Sequence, residues 1–379
     1  MKLALVCTEK LPIPPIAGGA VQQYIEGILP YLSEHHDVTV YSISYSGLPN
    51  FENINGVKYV RLPVNDNAEY LNNLKNSISE DFDLIYIFNR PAWVIDLGER
   101  FPNSKIALSV HNEMFLPQKL STEIADKCIK RVEFINTVSK FIADGIKVLY
   151  PQAEGKLNTV YSAADPNKYA TAWSNEGMFN RYTLKRKYHI ENYKVVLYIG
   201  RLNEKKGPHI LMKALQPLMN YRNDVALIIV GSKWYGENSI DNYTKGLYAL
   251  SKELSGPVVF TGFLTPLEIP PLYNAADIFV CPSQWNEPLA RVHYEAMAAG
   301  LPIITTNRGG NAEIISGLGN GIAINDYTNP DQFTYYINYL LSNPYIAYDM
   351  GKTGRHLVEE RFNWKRVSEE ILAELDNVK

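Results

Sequence analysis

Residues 194–231 read KVVLYIGRLNEKKGPHILMKALQPLMNYRNDVALIIVG, and the order of their parts decides the fold. KVVLYIG (194–200) is an unbroken apolar run of strand length, as expected of a strand buried on both faces. RLNEKKG is a polar turn closed by glycine. PHILMKALQPLM then carries apolar residues at helical spacing behind a proline, which suits a first helical turn. DVALIIVG (224–231) is a second buried strand. Parallel neighbours need a crossover of about a dozen residues or more, and a segment of that kind lies between these two strands. The stretch is therefore one strand-helix-strand unit of a parallel sheet.

The same unit opens the chain. KLALVC (2–7) is followed by the loop TEKLPIPPIAGG, the helical AVQQYIEGILPYLSEH and the strand DVTVYSI (37–43), about 190 residues before the second copy. Further strand-like runs follow each copy: VKYVRL, DLIYIF, KIALSV and FINTVS before residue 140, and VVFTG, DIFVCP, PIITT and GIAI after residue 257. The expected fold class is α/β, with two Rossmann-like, doubly wound parallel-sheet domains. A chain of 379 residues accommodates two such cores. The expected division is 1–165 and 166–355, with 356–379 a C-terminal helix packing back on the first domain. The small, polar YSAADPNKYA (161–170) is the link.

Composition narrows the function. The chain is 46% hydrophobic and 20% charged with a formal charge of −3, so no basic excess points to nucleic acid. MKLALVCTEK is too short in its apolar part for a secretion signal, and no run of about 18 apolar residues occurs, so a cytoplasmic protein is expected. Cys7, Cys128 and Cys281 lie far apart without a C-x-x-C pair and are expected to be reduced core residues.

In open α/β sheets, ligands bind beyond the carboxyl ends of the strands, where glycine-rich turns meet helix N-termini. Each half has such a turn. Gly18 and Gly19 let the backbone come close to an anion, and Arg201 and Lys206 put two cations where a helix dipole is already positive. A phosphate-bearing ligand between the domains is expected. Neither turn has the G-x-G-x-x-G spacing, and no P-loop is present. Taken alone, Arg201 and Lys206 read slightly better as a solvated charged loop.

A second stretch adds to them. NEPLARVHYE (286–295) sets Glu287 and Glu295 eight positions apart around Pro288, and AMAAGLPIITT (296–306) leads from a small-residue helix end through a glycine into a buried strand. Pro288 predicts a helix starting there, with Glu287 as its cap and Glu295 two turns on. A helix feeding directly into a buried strand has few exposed faces, which turns Glu295 toward a crevice.

With GRLNEKKG at 200–207 and NEPLARVHYEAMAAGLPIITTNRGGNAEII at 286–315, supported by VHN (110–112), TVSKF (137–141) and FNW near 362, the sequence resembles glycosyltransferase family 4, retaining enzymes of the GT-B fold. Its second motif looks most like that of the spore-coat-associated members, and Ala290 stands where more typical relatives have glycine. The resemblance implies that Glu287 bonds hydroxyls of a donor sugar, Glu295 bonds a nucleotide ribose, and Arg201 and Lys206 hold a diphosphate. It implies that backbone N–H groups of Leu289, Ala290, Arg291 and Val292 face the sugar and phosphates. The Gly18–Gly19 loop would close on them, and His111 would contact the sugar near its reactive carbon.

The implied reaction moves a hexose from a nucleoside-diphosphate sugar, a UDP-sugar ahead of a GDP- or ADP-sugar, to an unidentified acceptor. A role in spore-coat or envelope polysaccharide follows from the same likeness. Substituting Arg201 or Lys206 is expected to weaken diphosphate binding and leave the fold intact. Two other readings stay open: a nucleotide-sugar epimerase or sugar phosphorylase, and a spore-coat scaffold without turnover.

No cofactor and no metal are expected. Asp81-Phe82-Asp83 has the D-x-D form used by metal-dependent transferases of another fold, but it precedes its strand and so lies at the amino edge. His35, His36 and Asp37 fill a helix-to-strand turn, a poor metal geometry. Lys127, Lys130, Arg131, Lys140 and Lys147 surround apolar residues, a pattern compatible with peripheral membrane contact.

Overall fold

The computed structural model describes residues 1–79, 81–233 and 240–378. It divides into two compact units, Met1–Ser162 with Trp364–Lys379, and Ala163–Asn363. The breaks fall at 162/163 and 363/364, not at 165/166 and 355/356. Residue 356 lies inside the continuous helix Pro344–Glu360, and no break occurs before Arg361, so the helix Trp364–Val378 alone belongs with the first unit.

The first unit holds an eight-stranded sheet. Its strands are β1 (Lys2–Val6), β2 (Asp37–Ile43), β3 (Phe51–Ile54), β4 (Val57–Leu62), β5 (Leu84–Phe88), β6 (Lys105–Val110), β7 (Ile135–Thr137) and β8 (Leu157–Thr159). Their spatial order is β3-β4-β2-β1-β5-β6-β7-β8. All pairings are parallel except β3 with β4, an antiparallel edge hairpin whose exposed residues carry no buried-strand signal. The central strands read as continuous apolar runs because helices cover both of their faces, as in β5, which is buried throughout.

The second unit holds β9 (Lys194–Ile199), β10 (Val225–Val230), β11 (Val258–Gly262), β12 (Ile278–Cys281), β13 (Ile303–Thr306) and β14 (Gly321–Ile324), all parallel, in the order β11-β10-β9-β12-β13-β14. Between β9 and β10 runs the helix Pro208–Tyr221, its apolar stripe from Ile210 to Met219 buried against the sheet. The strand order reverses at β1/β5 in one unit and at β9/β12 in the other. Such reversals separate the loops that leave neighbouring strands and open a crevice at their carboxyl ends.

Candidate functional site

In the second unit, the loops after β9 and β12 are joined backbone to backbone. Gln284 N–H donates to the Lys205 carbonyl at 2.7 Å. Gly207, at φ 71°, lies so close that a Cβ there would stand 2.0 Å from the Pro282 carbonyl oxygen. Before it, a short turn over Glu204–Lys206 is capped by Asn203, whose side-chain oxygen accepts from the Lys206 N–H at 3.1 Å. Arg201 leads into this turn, and the Tyr198 hydroxyl donates to its carbonyl at 2.8 Å. These bonds fix the backbone of the loop that carries both cations beside the β9/β12 switch point.

The Lys206 ammonium donates to Glu287 Oε2 at 2.6 Å. The same oxygen accepts from Trp285 Nε1 at 2.8 Å and Ser283 Oγ at 3.1 Å. Glu287 is buried, and burial alone would raise its pKa. The charge and hydrogen bond of Lys206, then the bonds from Trp285 and Ser283, outweigh burial and hold the carboxyl below its ordinary value. Ser283 and Trp285 escape sequence reading, since they belong to an irregular loop whose hydrogen bonds exist only once it is folded.

Glu287 is not a helix cap. The helix expected from Pro288 begins four residues later, at Val292, and is only seven residues long (Val292–Ala298). Proline fixes φ in loops as readily as in a first turn, and the intervening residues are held by side chains instead. Asn311 Oδ1 accepts from the Ala290 N–H at 3.1 Å, so that N–H is committed to the protein. Leu289 and Ala290 are buried, Arg291 donates to the Ala163 carbonyl at 3.1 Å, and Val292 opens the helix. Glu295 is buried as its position before a buried strand predicts. It accepts from the Tyr273 hydroxyl at 2.9 Å and lies 3.8 Å from Arg291.

Beneath the loop is a group that sequence reading passed over. His293 is fully buried, with Nδ1 2.8 Å from the Ala290 carbonyl and Nε2 2.8 Å from Thr305 Oγ1. Burial, against the smaller pull of the Ala290 carbonyl and Glu287, pushes its pKa down to about 4. Below the ordinary histidine range the unfolded chain takes up a proton that the folded one refuses, so stability falls with pH through that window. Unfolding titrations at pH 7 and pH 5 should differ by about 2 kcal/mol from this residue, and His293→Gln should remove that difference. An unchanged difference would mean that His293 is not the group responsible.

In the first unit, Gly18 and Gly19 adopt φ 90° and 99° just before the helix Ala20–Ser33. Gln22, from that helix's first turn, ties the loop to the end of β1 by donating to Thr8 Oγ1 at 3.2 Å and the Leu11 carbonyl at 3.3 Å. His111 follows β6. Its Nε2 is 3.0 Å from Ser109 Oγ, its N–H donates to Asn89 Oδ1 at 3.1 Å, and its ring meets Tyr24 edge-on at 4.8 Å. At the β1/β5 switch point, Arg90 grips Glu9 through two bonds of 2.7 and 2.6 Å. Eighty-one positions separate the two, so no local pattern announces the pair.

The remaining candidates stand apart from these loops. Asp83 accepts from the Lys2 N–H at 2.6 Å and Asp81 pairs with the Lys2 ammonium, both at the amino end of β1. His36 contacts the N-terminal amine at 3.4 Å. Lys127 pairs with Glu123, Lys147 with Glu154, and Arg131 donates to the Ser104 carbonyl. The three cysteines are free and buried. Among the described residues, no helix is long and apolar enough to cross a membrane.

Comparison with known proteins agrees with the architecture. Residues 180–357 match the model of the family described as "Glycosyl transferases group 1". Spore coat protein SA of Bacillus subtilis (strain 168) is 45% identical over 98% of both chains. A GDP-mannose-dependent alpha-(1-6)-phosphatidylinositol monomannoside mannosyltransferase of Mycolicibacterium smegmatis is 27% identical over 93% of both. The crystal structure of Anabaena Alr3699/HepE in complex with UDP-glucose superposes with a TM-score of 0.79 at 19% identity, covering 100% of each chain, a likeness of fold. The two parallel-sheet α/β units are those of the GT-B fold, and the chain belongs to the group 1 glycosyl transferases.

Proposed function

We propose that this glycosyltransferase moves a hexose from a nucleoside-diphosphate sugar to an acceptor hydroxyl with retention of configuration, without a divalent metal. The observation that carries the reading is the pairing of Lys206 with the buried Glu287, held on a rigid turn with Arg201 at the β9/β12 switch point. Lys206 is a cation with three N–H donors, one of which bonds Glu287. It and Arg201 receive the diphosphate, whose charge grows as the sugar leaves, while the start of the helix Pro208–Tyr221 adds partial positive charge. That supply of charge replaces a metal.

Glu287 keeps a second oxygen for sugar hydroxyls, and Glu295 takes the ribose diol. In the reaction the bond between C1 and the phosphate oxygen breaks, the acceptor oxygen joins C1 from the same face, and the acceptor proton passes to the departing phosphate. UDP is favoured as the carrier nucleotide. The Anabaena neighbour's complex with UDP-glucose supports that choice, while the mycobacterial relative's use of GDP-mannose makes GDP the alternative to test. The name of the 45% identical relative supports an acceptor in spore-coat or envelope polysaccharide.

The test is calorimetry with UDP, GDP and their sugar conjugates, alongside donor cleavage in excess EDTA. Glu295→Gln should weaken binding of the free nucleotide, whereas Glu287→Gln should spare it and impair use of the complete donor. Equal loss of nucleotide affinity in both variants contradicts this division of roles. Activity abolished by EDTA and restored only by Mn²⁺ contradicts the metal-free assignment.

A further inference from the structure

Resting on the donor site just proposed, one charged residue of the second unit is left without an assignment. Arg308 follows β13, in the loop that continues through Gly309 and Gly310. Its guanidinium lies over the Tyr327 ring at 4.5 Å from the centroid. Its Nε is buried and has no hydrogen-bond partner among the described residues. Among those residues it has no acidic partner either. A buried guanidinium N–H without an acceptor is costly, and most such groups in native proteins are satisfied.

The loop that carries this orphan is tied to the Glu287 loop. The Gly310 N–H donates to the Glu287 carbonyl at 2.8 Å, and a Cβ on Gly309 would stand 2.0 Å from that oxygen. Arg308 therefore springs from a segment fastened to the sugar-binding glutamate. Tyr327, which carries the guanidinium, is fastened there too, because Gln284 Nε2 donates to its carbonyl at 2.9 Å and to the Pro282 carbonyl at 2.8 Å. Along the sheet edge the order is β9 with Arg201 and Lys206, β12 with Glu287, β13 with Arg308 and β14 with Tyr327. Two strand spacings, roughly 10 Å, separate the β9 cations from Arg308. One anion at β9 and a second at β13, with a hexose ring between them, fit that span once the side chains reach in.

Charge points the same way. Lys206 already neutralises Glu287, so Glu287 does not cancel Arg308. A neutral hexose could offer hydroxyl acceptors but would leave the guanidinium charge without a counter-ion. A planar carboxylate on the sugar would meet its fork with charge-assisted bonds. We infer that Arg308 selects a donor sugar bearing a carboxylate, a hexuronic acid, with Tyr327 holding the guanidinium flat for it.

The experiment is calorimetry of the full chain with UDP, UDP-glucose and UDP-glucuronate, on the wild type, Arg308→Ala, Arg308→Lys and Tyr327→Phe. Circular dichroism confirms that each variant is folded. The wild type should bind UDP-glucuronate about tenfold to a hundredfold more tightly than UDP-glucose, the range expected of a hydrogen bond between charged groups. Arg308→Ala should abolish that preference and leave UDP affinity unchanged. Arg308→Lys should keep part of it, and Tyr327→Phe most of it. UDP binding with no preference for the uronate, or a preference that survives Arg308→Ala, overturns the inference and leaves the donor site standing. No binding of UDP overturns the UDP-donor reading and the inference together.

Discussion

Lys206→Met should lower the free energy of unfolding by about 3–5 kcal/mol and turnover by at least about a hundredfold. The stability loss is the new element, because sequence reading expects a diphosphate ligand that the fold can spare. Lys206 is the counter-ion of a buried carboxylate, and removing it leaves burial as the dominant influence on Glu287. The carboxyl then shifts from below its ordinary value to above it. In the wild type the stability contributed by this pair is present above the ordinary carboxylate range and is lost as pH falls through the depressed folded pKa. In Lys206→Met the sign inverts, and acidification through the raised pKa relieves the penalty by protonating Glu287.

Combining Lys206→Met with Glu287→Gln should restore most of the stability and none of the activity, since the buried charge is gone but so are both functional groups. Chemical denaturation of the four members of this cycle, at pH 7 and pH 5, decides it. If Lys206→Met proves as stable as the wild type, the pair is not a structural element, and Lys206 serves the ligand alone.

Gly309→Ala should be nearly as damaging, by about 2–5 kcal/mol, with loss of donor turnover in the same variant. Gly309 has φ 62°, and its missing Cβ leaves room for the Glu287 carbonyl, so an alanine there meets both a strained backbone and hard overlap with atoms that cannot yield. Gly317→Ala separates the two contributions. Gly317 has φ 75° but open space around its Cβ position, so it should lose only the about 1–2 kcal/mol of left-handed strain. Equal losses at the two positions would mean that the close approach to Glu287 contributes nothing.

The fold was legible because its central strands are buried on both faces. KVVLYIG and DVALIIVG need no alternation to be recognised, and they became β9 and β10 within a residue at each end. The edge strand β3, exposed along most of its length, had no such signal. Residues of the site divide in the same way. Arg201 and Lys206 stand out because their turn lies between a buried strand and a helix start, and Glu287 and Glu295 because they bracket a stretch that feeds a buried strand. Ser283, Trp285, Asn311 and Gly309 do not, because each acts on a loop residue through contacts that only folding creates, Gly309 from 22 positions away. Pro288 misled for a local reason, since its fixed φ suits a loop as well as a helix start and only the Asn311 bond to Ala290 distinguishes the two.

The helix Trp364–Val378 belongs to the first unit although the whole of Ala163–Asn363 intervenes in the chain. It packs on the helix Ala20–Ser33, where Gly27 leaves space for the Trp364 ring, which a Cβ would approach to 2.3 Å. On the ribosome this has an order in time. The amino-terminal sheet can pair its strands as they emerge, but the face around Gly27 stays uncovered until all of the second unit has been translated and residue 364 follows it out. For that interval the nascent chain carries a greasy, unfinished surface beside a neighbour that folds from contiguous sequence. Synthesis that stalls before residue 364 would thus release an intact second unit fused to an incomplete first unit, a species suited to recognition by holdase chaperones.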